Sequence, residues 1–180
     1  MEFEREKQSL LLEGVRYTAN DLHLLKTKAV GASDSSTGQM LYDFLQEWFT
    51  ESPWMTVHTS GSTGKPKKIR ISKDKMMQSA RLTCEFLNLQ IGDTALLCMN
   101  LRYIGAMMVV VRSLVAGLNL IIRPASGHPL ADMKQPLRFA AMVPLQVYNT
   151  LQVPEEKERL RQTDVLIIGG GAIDEALEAE

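Results

Sequence analysis

The chain has 180 residues, 45% hydrophobic and 23% charged, the make-up of one globular domain or slightly more. A formal net charge of −1 excludes a general electrostatic pull toward nucleic acid or an anionic lipid surface. The charged N-terminal run MEFEREKQ lacks the apolar centre of a signal peptide, so the expected location is the cytoplasm.

Leu10 to Tyr17 reads as a short strand, and Thr18 after it as the N-cap of a brief helix through Asn20-Asp21-Leu22. Gly31 to Gly38 (GASDSSTG) is a loop by composition. Leu41, Phe44, Leu45, Trp48 and Phe49 recur at helical spacing and predict an amphipathic helix over Gln39 to Thr50, stopped by Pro53. Trp54 to Thr59 reads as a strand leading into the stretch that matters most.

That stretch is His58-Thr59-Ser60-Gly61-Ser62-Thr63-Gly64-Lys65-Pro66-Lys67. Nothing after His58 offers apolar area to bury. Glycines permit positive φ and close approach of the backbone to a ligand. Successive backbone N–H groups in such a loop can converge on an anion, and the hydroxyls and lysines add donors and positive charge for phosphate oxygens. The loop reads as a polyphosphate cradle; a solvated Ser/Gly surface turn is the alternative. It is not a Walker A loop. Thr59 stands where the first glycine of that pattern belongs, and Pro66 follows the lysine where a hydroxyl residue is required. The basic run Lys65, Lys67, Lys68, Arg70 has no interleaved aromatic residue, which favours a nucleotide over nucleic acid as partner.

Lys68-Ile69-Arg70-Ile71 alternates as an exposed edge strand does. Ser72 is positioned to cap a helix whose apolar face carries Met76, Met77, Ala80, Cys84 and Leu87, with the methionines as core filler. Cys84 and Cys98 fit neither a disulfide framework nor metal-ligand spacing and are expected as buried free thiols. Gly92-Asp93 turns the chain, and Thr94 to Met99 is a continuous apolar run of the kind buried in a parallel sheet. Ile104 to Ile122 is strongly apolar but carries Arg112, Ser113, Gly117 and Asn119, too polar for a membrane span. It divides into a helix over Ile104 to Ala116, ended by Gly117, and a strand over Leu118 to Ile122. Strand, crossover helix and strand imply a parallel pair with a right-handed connection.

Phe139 to Val143 is a further strand, and Pro144 suits the first turn of a helix carrying Leu145, Val147, Tyr148 and Leu151. Pro154 to Arg161 reads as a surface helix with solvated charges. Asp164 to Ile168 is a strand followed by Gly169-Gly170-Gly171-Ala172, and Asp174 to Glu180 begins a helix. Alternating strands and helices predict an α/β protein, a mostly parallel sheet with crossover helices. A Gly-rich turn at the carboxyl end of a parallel strand is where open α/β sheets bind ligands.

The loop resembles the Tyr/Phe-Thr-Ser-Gly-Ser/Thr-Thr-Gly-x-Pro-Lys signature of the adenylate-forming enzymes, with His58 in place of the aromatic residue. Three later segments extend the resemblance. Met99-Asn100-Leu101-Arg102-Tyr103-Ile104-Gly105 stands where the family has an apolar strand and Pro-x-x-His, with Asn100 for the proline and Tyr103 for the gating histidine. Val143-Pro144-Leu145 to Leu151 is similar to Val-Pro-Thr-x-x-x-x-Leu, one threonine short, and Ile168 to Ala172 is similar to a strand followed by Gly-Gly-Ala. Within the family, the run YIGAMMVVVR (103–112) resembles the o-succinylbenzoate–CoA ligase subfamily of menaquinone biosynthesis.

The resemblance implies that Thr59, Ser60, Gly61, Ser62, Thr63, Gly64, Lys65 and Lys67 hold ATP phosphates and that Gly170, Gly171 and Ala172 lie under the adenine. It implies that Arg102, Tyr103 and Gly105 line the acid pocket, although Tyr103 could equally pack. Arg112 either attracts a succinyl carboxylate or reaches the surface. The implied partners are a small carboxylic acid, ATP with Mg²⁺, and CoA, with no nucleic acid and no membrane.

The family's Mg²⁺-holding Glu in aromatic-Gly-x-Thr-Glu, its ribose-gripping Asp, its hinge and its catalytic lysine have no counterpart in the sequence. The expectation is an incomplete N-terminal domain of an adenylate-forming enzyme. In it, 1–53 is a short leading segment, 54–180 carries the phosphate loop and α/β subdomain, and the C-terminal catalytic-lysine domain is absent. Residues 1–180 by themselves are expected not to form an acyl-adenylate. The rival readings are a nucleotide-binding module without chemistry of its own, a ligase for another aryl or fatty acid, and a kinase, which the failed Walker pattern disfavours.

Overall fold

The computed structural model describes residues 3–25, 35–58, 68–173 and 175–178. Its strands are β1 (Leu10–Leu12), β2 (Val15–Tyr17), β3 (Trp54–His58), β4 (Lys68–Ser72), β5 (Thr94–Leu97), β6 (Asn119–Ile122), β7 (Phe139–Met142) and β8 (Val165–Ile168). The helices are α1 (Ser35–Trp48), α2 (Lys73–Phe86), α3 (Ile104–Ala116), α4 (Pro144–Leu151), α5 (Pro154–Arg161) and the short α6 (Glu175–Glu178).

Six strands form one sheet in the order β2-β1-β6-β5-β7-β8, while β3 and β4 form a separate two-stranded sheet. Strands β1, β6, β5, β7 and β8 run parallel and β2 is antiparallel to β1. The mostly parallel α/β architecture expected from the sequence is present. The central strands read as unbroken apolar runs because both faces of the sheet are covered. Ala95, Leu97, Phe139 and Ala141 face a core shared with α1, α2 and α3. Leu96, Cys98, Ala140 and Met142 face a second cluster with Leu130, Met133, Leu137 and Val147.

The boundaries of α3, α4 and α5 fall where the sequence placed them, with Gly117 ending α3 and Pro144 opening α4. Thr18 caps a short 3₁₀ turn over Ala19–Asp21: its hydroxyl accepts the Asn20 N–H at 3.3 Å, and Asp21 returns a carboxylate oxygen to the Thr18 N–H at 2.9 Å. Both cysteines are buried free thiols. No helix of the described residues is long and apolar enough to cross a membrane.

Four expectations are corrected. The single strand over 10–17 is a tight hairpin, because Glu13 and Gly14 both take positive φ, 47° and 81°, as a two-residue primed turn requires. The turn docks on β6: Gly14 N–H donates to Asn119 Oδ1 at 2.8 Å, and Glu13 N–H to Leu120 O at 2.9 Å. Second, α1 starts at Ser35, so 35–38 of the GASDSSTG stretch are helical; the remainder, 31–34, lies outside the described residues. Third, Ser72 occupies the N-cap position of α2 with extended backbone but makes no side-chain capping bond.

Fourth, α5 is not merely a solvated face. Glu156 is 3% exposed and its Oε1 lies 2.8 Å from His128 Nδ1, while Arg159 Nη1 donates to Leu130 O at 2.9 Å and Ala131 O at 2.5 Å. The β6–β7 connection crosses the sheet without a helix, so its carbonyls need donors from elsewhere. Helix α5 provides two of them through Arg159.

Candidate functional site

The expected phosphate cradle, Thr59, Ser60, Gly61, Ser62, Thr63, Gly64, Lys65 and Lys67, lies outside the described residues. Its frame is described. Strands β3 and β4 pair antiparallel from Trp54↔Ser72 to His58↔Lys68, so the loop joins the two ends of one hairpin. Alternation turns Met55 and Val57 into the main core. On the other face the Arg70 guanidinium stands 5.2 Å from the centre of the Trp54 ring.

The base of the hairpin is tied to α1 and α2. Glu47 Oε1 on α1 accepts the Thr56 N–H at 2.7 Å, and Pro53 O accepts the Lys73 N–H at 2.9 Å. Lys73 opens α2 fully buried. Its ammonium donates to Thr50 O at 2.8 Å and Thr50 Oγ1 at 3.3 Å, and lies 4.3 Å from the Phe3 ring centre. Burial pulls its pKa down to about 8, with the charges of Glu47 and Glu51 opposing. Phe3 is itself held by Asp74, whose Oδ1 accepts its N–H at 2.6 Å.

The other expected site segments both lie on the carboxyl edge of the larger sheet. Past β5, Asn100 Oδ1 accepts the Arg102 N–H at 2.9 Å, a side-chain turn that sends the chain into α3. Tyr103 is the N-cap residue of α3 and is 54% exposed, with Arg102 and Gly105 exposed beside it. Past β8, Gly169 N–H donates to Met142 O at 3.1 Å, and Gly170 takes φ +83°. A Cβ on Gly170 would stand 3.5 Å from Val143 Cγ1, and one on Gly171 would stand 3.5 Å from Pro144 Cδ, so the turn rests on the start of α4. Gly170, Gly171 and Ala172 are exposed. Strand order places β7 between these two segments. Arg102, Tyr103 and Gly105 therefore share one edge of the sheet with Gly170, Gly171 and Ala172.

Arg112 does not belong to that edge. It lies two turns along α3, its guanidinium 5.8 Å from the centre of the Phe139 ring, and Phe139 opens β7 at the amino edge. Its Nε is buried without a hydrogen-bond partner, and burial lowers its pKa against the influence of Cys84. Of the two readings left open for it, a pocket cation and a surface arginine, the first is not met at this edge: Arg112 is half-buried between α2 and the sheet. Neither thiol is set up as a nucleophile. Burial pushes Cys98 up to about 12 and also raises Cys84. Clefts of about 300 and 610 Å³ open elsewhere, under the β6–β7 connection and at the amino edge beside Arg16 and Arg81. Among the described residues no group of three or more His, Cys, Asp or Glu converges on a metal position.

One contributor to this edge escaped the sequence. Gln146, at the third position of α4, is buried and bonded to the ends of β5 and β7 and to the β6–β7 connection. The available signal was a polar residue on the inward face of a helix opened by proline.

Known proteins resemble the chain in sequence and in fold. The chain is 30% identical over 82 residues to 2-succinylbenzoate–CoA ligases of Bacillus mycoides (strain KBAB4) and Bacillus cereus (strain Q1), covering 45% of this chain and 17% of theirs. An acyl-CoA synthetase (AMP-forming)/AMP-acid ligase II-like protein from Dyadobacter fermentans superposes with a TM-score of 0.74 at 29% identity, covering 86% of this chain and 45% of that one. The o-succinylbenzoate coenzyme A synthetase of Bacillus subtilis, solved in complex with AMP, shares the fold with a TM-score of 0.56 at 20% identity, over 68% of this chain and 26% of its own. The chain thus spans less than half the length of these relatives. Residues 11–180 match the AMP-binding enzyme family, and the chain belongs to it.

Proposed function

We propose that the chain is the N-terminal, ATP-binding part of an acid–CoA ligase, which activates a carboxylate as its acyl-adenylate and passes the acyl group to CoA. The family match over residues 11–180, which takes in the Thr59–Lys67 loop, carries this reading. In the reaction a substrate carboxylate oxygen attacks the α-phosphorus of MgATP and pyrophosphate leaves. The CoA thiolate then displaces AMP from the acyl carbon. Such transfers depend on positioning and charge neutralisation more than on covalent help from the protein.

In this proposal the loop from Thr59 to Lys67 holds the β- and γ-phosphates, and the Gly170-Gly171-Ala172 turn supports the adenine. Arg102, Tyr103 and Gly105 face the acid. Mg²⁺ is assigned no ligand among the described residues. The Bacillus relatives make o-succinylbenzoate the favoured acid, with membership in menaquinone biosynthesis. The domain division at residue 53 and the cytoplasmic location belong to the same reading.

The test is acid-dependent exchange of labelled pyrophosphate into ATP by the protein carrying this chain, across a panel of carboxylic acids. Exchange is expected with o-succinylbenzoate, followed by thioester and AMP when CoA is added. Exchange with a different aryl or fatty acid would overturn the substrate and keep the reaction. ADP as product, or no exchange with any acid, would overturn the reaction. Gly64→Ala in the same protein should raise the KM for ATP and leave that for the acid unchanged, because it removes backbone freedom from the phosphate loop.

A further inference from the structure

A primary amide presents two donors and one acceptor in a fixed plane. Gln146 is 5% exposed and uses all of them. Its Nε2 donates to Cys98 O at 2.8 Å and to Ser126 O at 2.8 Å, and its Oε1 accepts the Val143 N–H at 3.2 Å. All three bonds require the same amide orientation. The flipped amide would set an oxygen against two carbonyls and an NH₂ against an N–H.

The three segments so joined are the carboxyl ends of neighbouring strands. Cys98 follows β5 and leads into the Asn100–Gly105 turn. Ser126 follows β6. Val143 follows β7 and, with Pro144, supports Gly170 and Gly171. The backbone ladder between β5 and β7 comprises Ala95↔Phe139 and Leu96↔Ala140 and goes no further. Beyond it, toward the site, the link between the strands passes to side chains: the Cys98 thiol on Ala141 O at 3.6 Å, and the Gln146 amide.

We infer that Gln146 is a positioning residue, whose amide sets the spacing between the Asn100–Gly105 turn and the Val143–Pro144 support of the Gly170–Gly171 turn. This rests on the proposed function, in which the first segment faces the acid and the second the adenine. Adenylation needs the carboxylate in line with the α-phosphorus, and a small misplacement of bound reactants costs turnover before it costs binding.

Two variants test it. Gln146→Met keeps length and apolar bulk and removes every bond. Gln146→Glu keeps the acceptor for Val143, but its second oxygen faces two carbonyls and, with a single proton to offer, holds one of them only when protonated. A buried carboxyl in such a place has a raised pKa. The titratable and charged groups on the joined segments and on α4 are the Cys98 thiol, pushed by burial up to about 12, Arg102, Tyr103, Arg123, Tyr148 and His128, engaged with Glu156, and all are common to every variant.

Exchange kinetics would be run well below each variant's Tm. Gln146→Met should lose roughly tenfold or more in kcat, with KM for acid and ATP within about threefold. Gln146→Glu should approach wild-type kcat at about pH 6 and fall away as pH rises, while its circular dichroism stays constant. A Gln146→Met variant with wild-type kcat, or a Gln146→Glu pH profile parallel to wild type, would overturn the inference. If the wild type exchanges with no acid, the proposed function falls, and backbone hydrogen exchange decides about Gln146. Amides of Arg102, Tyr103 and Val143 should then exchange faster in Gln146→Met, and in Gln146→Glu increasingly so at high pH relative to wild type. Unchanged protection there would overturn the inference.

Discussion

Lys73→Met is the perturbation whose outcome the geometry constrains most tightly. Lys73 is 0% exposed, and burial favours its neutral amine, holding the pKa at about 8 where an unperturbed lysine has 10.5. The folded state therefore binds this proton less tightly than the unfolded chain. Below about pH 8 both states are charged and the folded state bears the whole desolvation cost. Between about 8 and 10.5 the unfolded chain stays protonated while the folded one does not, so stability rises with pH, and above 10.5 the cost is gone. A displacement from 10.5 to about 8 corresponds to about 3 kcal/mol, at about 1.4 kcal/mol per pH unit. Methionine keeps the contact with Phe3 and removes both the charge and the two bonds to Thr50, which are worth about 1.5–3 kcal/mol together. At about pH 7 the variant should match the wild type or exceed it by up to about 1.5 kcal/mol. By about pH 10.5 the wild type should be the more stable, the difference having moved by about 3 kcal/mol. Urea unfolding of both proteins across that range reads the difference directly, since distant titrating groups cancel. A wild-type-minus-variant stability that stays constant within about 0.5 kcal/mol would refute the reasoning.

Gly170→Ala should lower the urea midpoint by the equivalent of about 1–2 kcal/mol, because φ +83° strains any residue with a Cβ. Gly171→Ala is the matched control, with ordinary contact to Pro144 and no such φ, and equal losses in the two variants would remove the backbone explanation. Arg112→Met should leave the KM for the acid within about twofold, since the side chain stands at Phe139, away from the carboxyl edge. A large rise in that KM would show that Arg112 reaches the substrate after all.

The sequence spoke clearly wherever local rules and burial pointed the same way. Pro144 and Pro154 open α4 and α5, Gly117 closes α3, and the apolar runs of β5, β6, β7 and β8 need two covered faces. It misled where one residue type served two ends. Leu10 to Tyr17 has enough apolar residues for one strand, and only the positive φ of Glu13 beside Gly14 reveals the turn between two short ones. Charge on α5 looked like solvation because composition cannot tell that the β6–β7 connection has no helix of its own and borrows Glu156 and Arg159. Arg112 misled for a similar reason. Helical position fixes its face, but which end of the sheet that face meets depends on the direction in which α3 returns.

Two of the departures from the family signatures, at Asn100 and Tyr103, are absorbed within a few residues. Asn100 stands where the signature has proline, and a proline there would stiffen the chain by fixing φ. Asn100 restrains the same turn differently, by accepting the Arg102 N–H on its own side chain, while its carbonyl takes the Tyr103 N–H at 3.1 Å. The chain then enters α3 at Tyr103, whose carbonyl accepts the Met107 N–H at 3.2 Å. Tyr103 caps nothing with its side chain and is more exposed than buried. A half-exposed phenol at the start of a helix, beside an edge built by three strand ends, is free to meet a ligand. Its hydroxyl can donate to a carboxylate at neutral pH, which a neutral imidazole can also do through one nitrogen. The substitution of tyrosine for histidine therefore keeps a hydrogen-bond donor at this place on the edge.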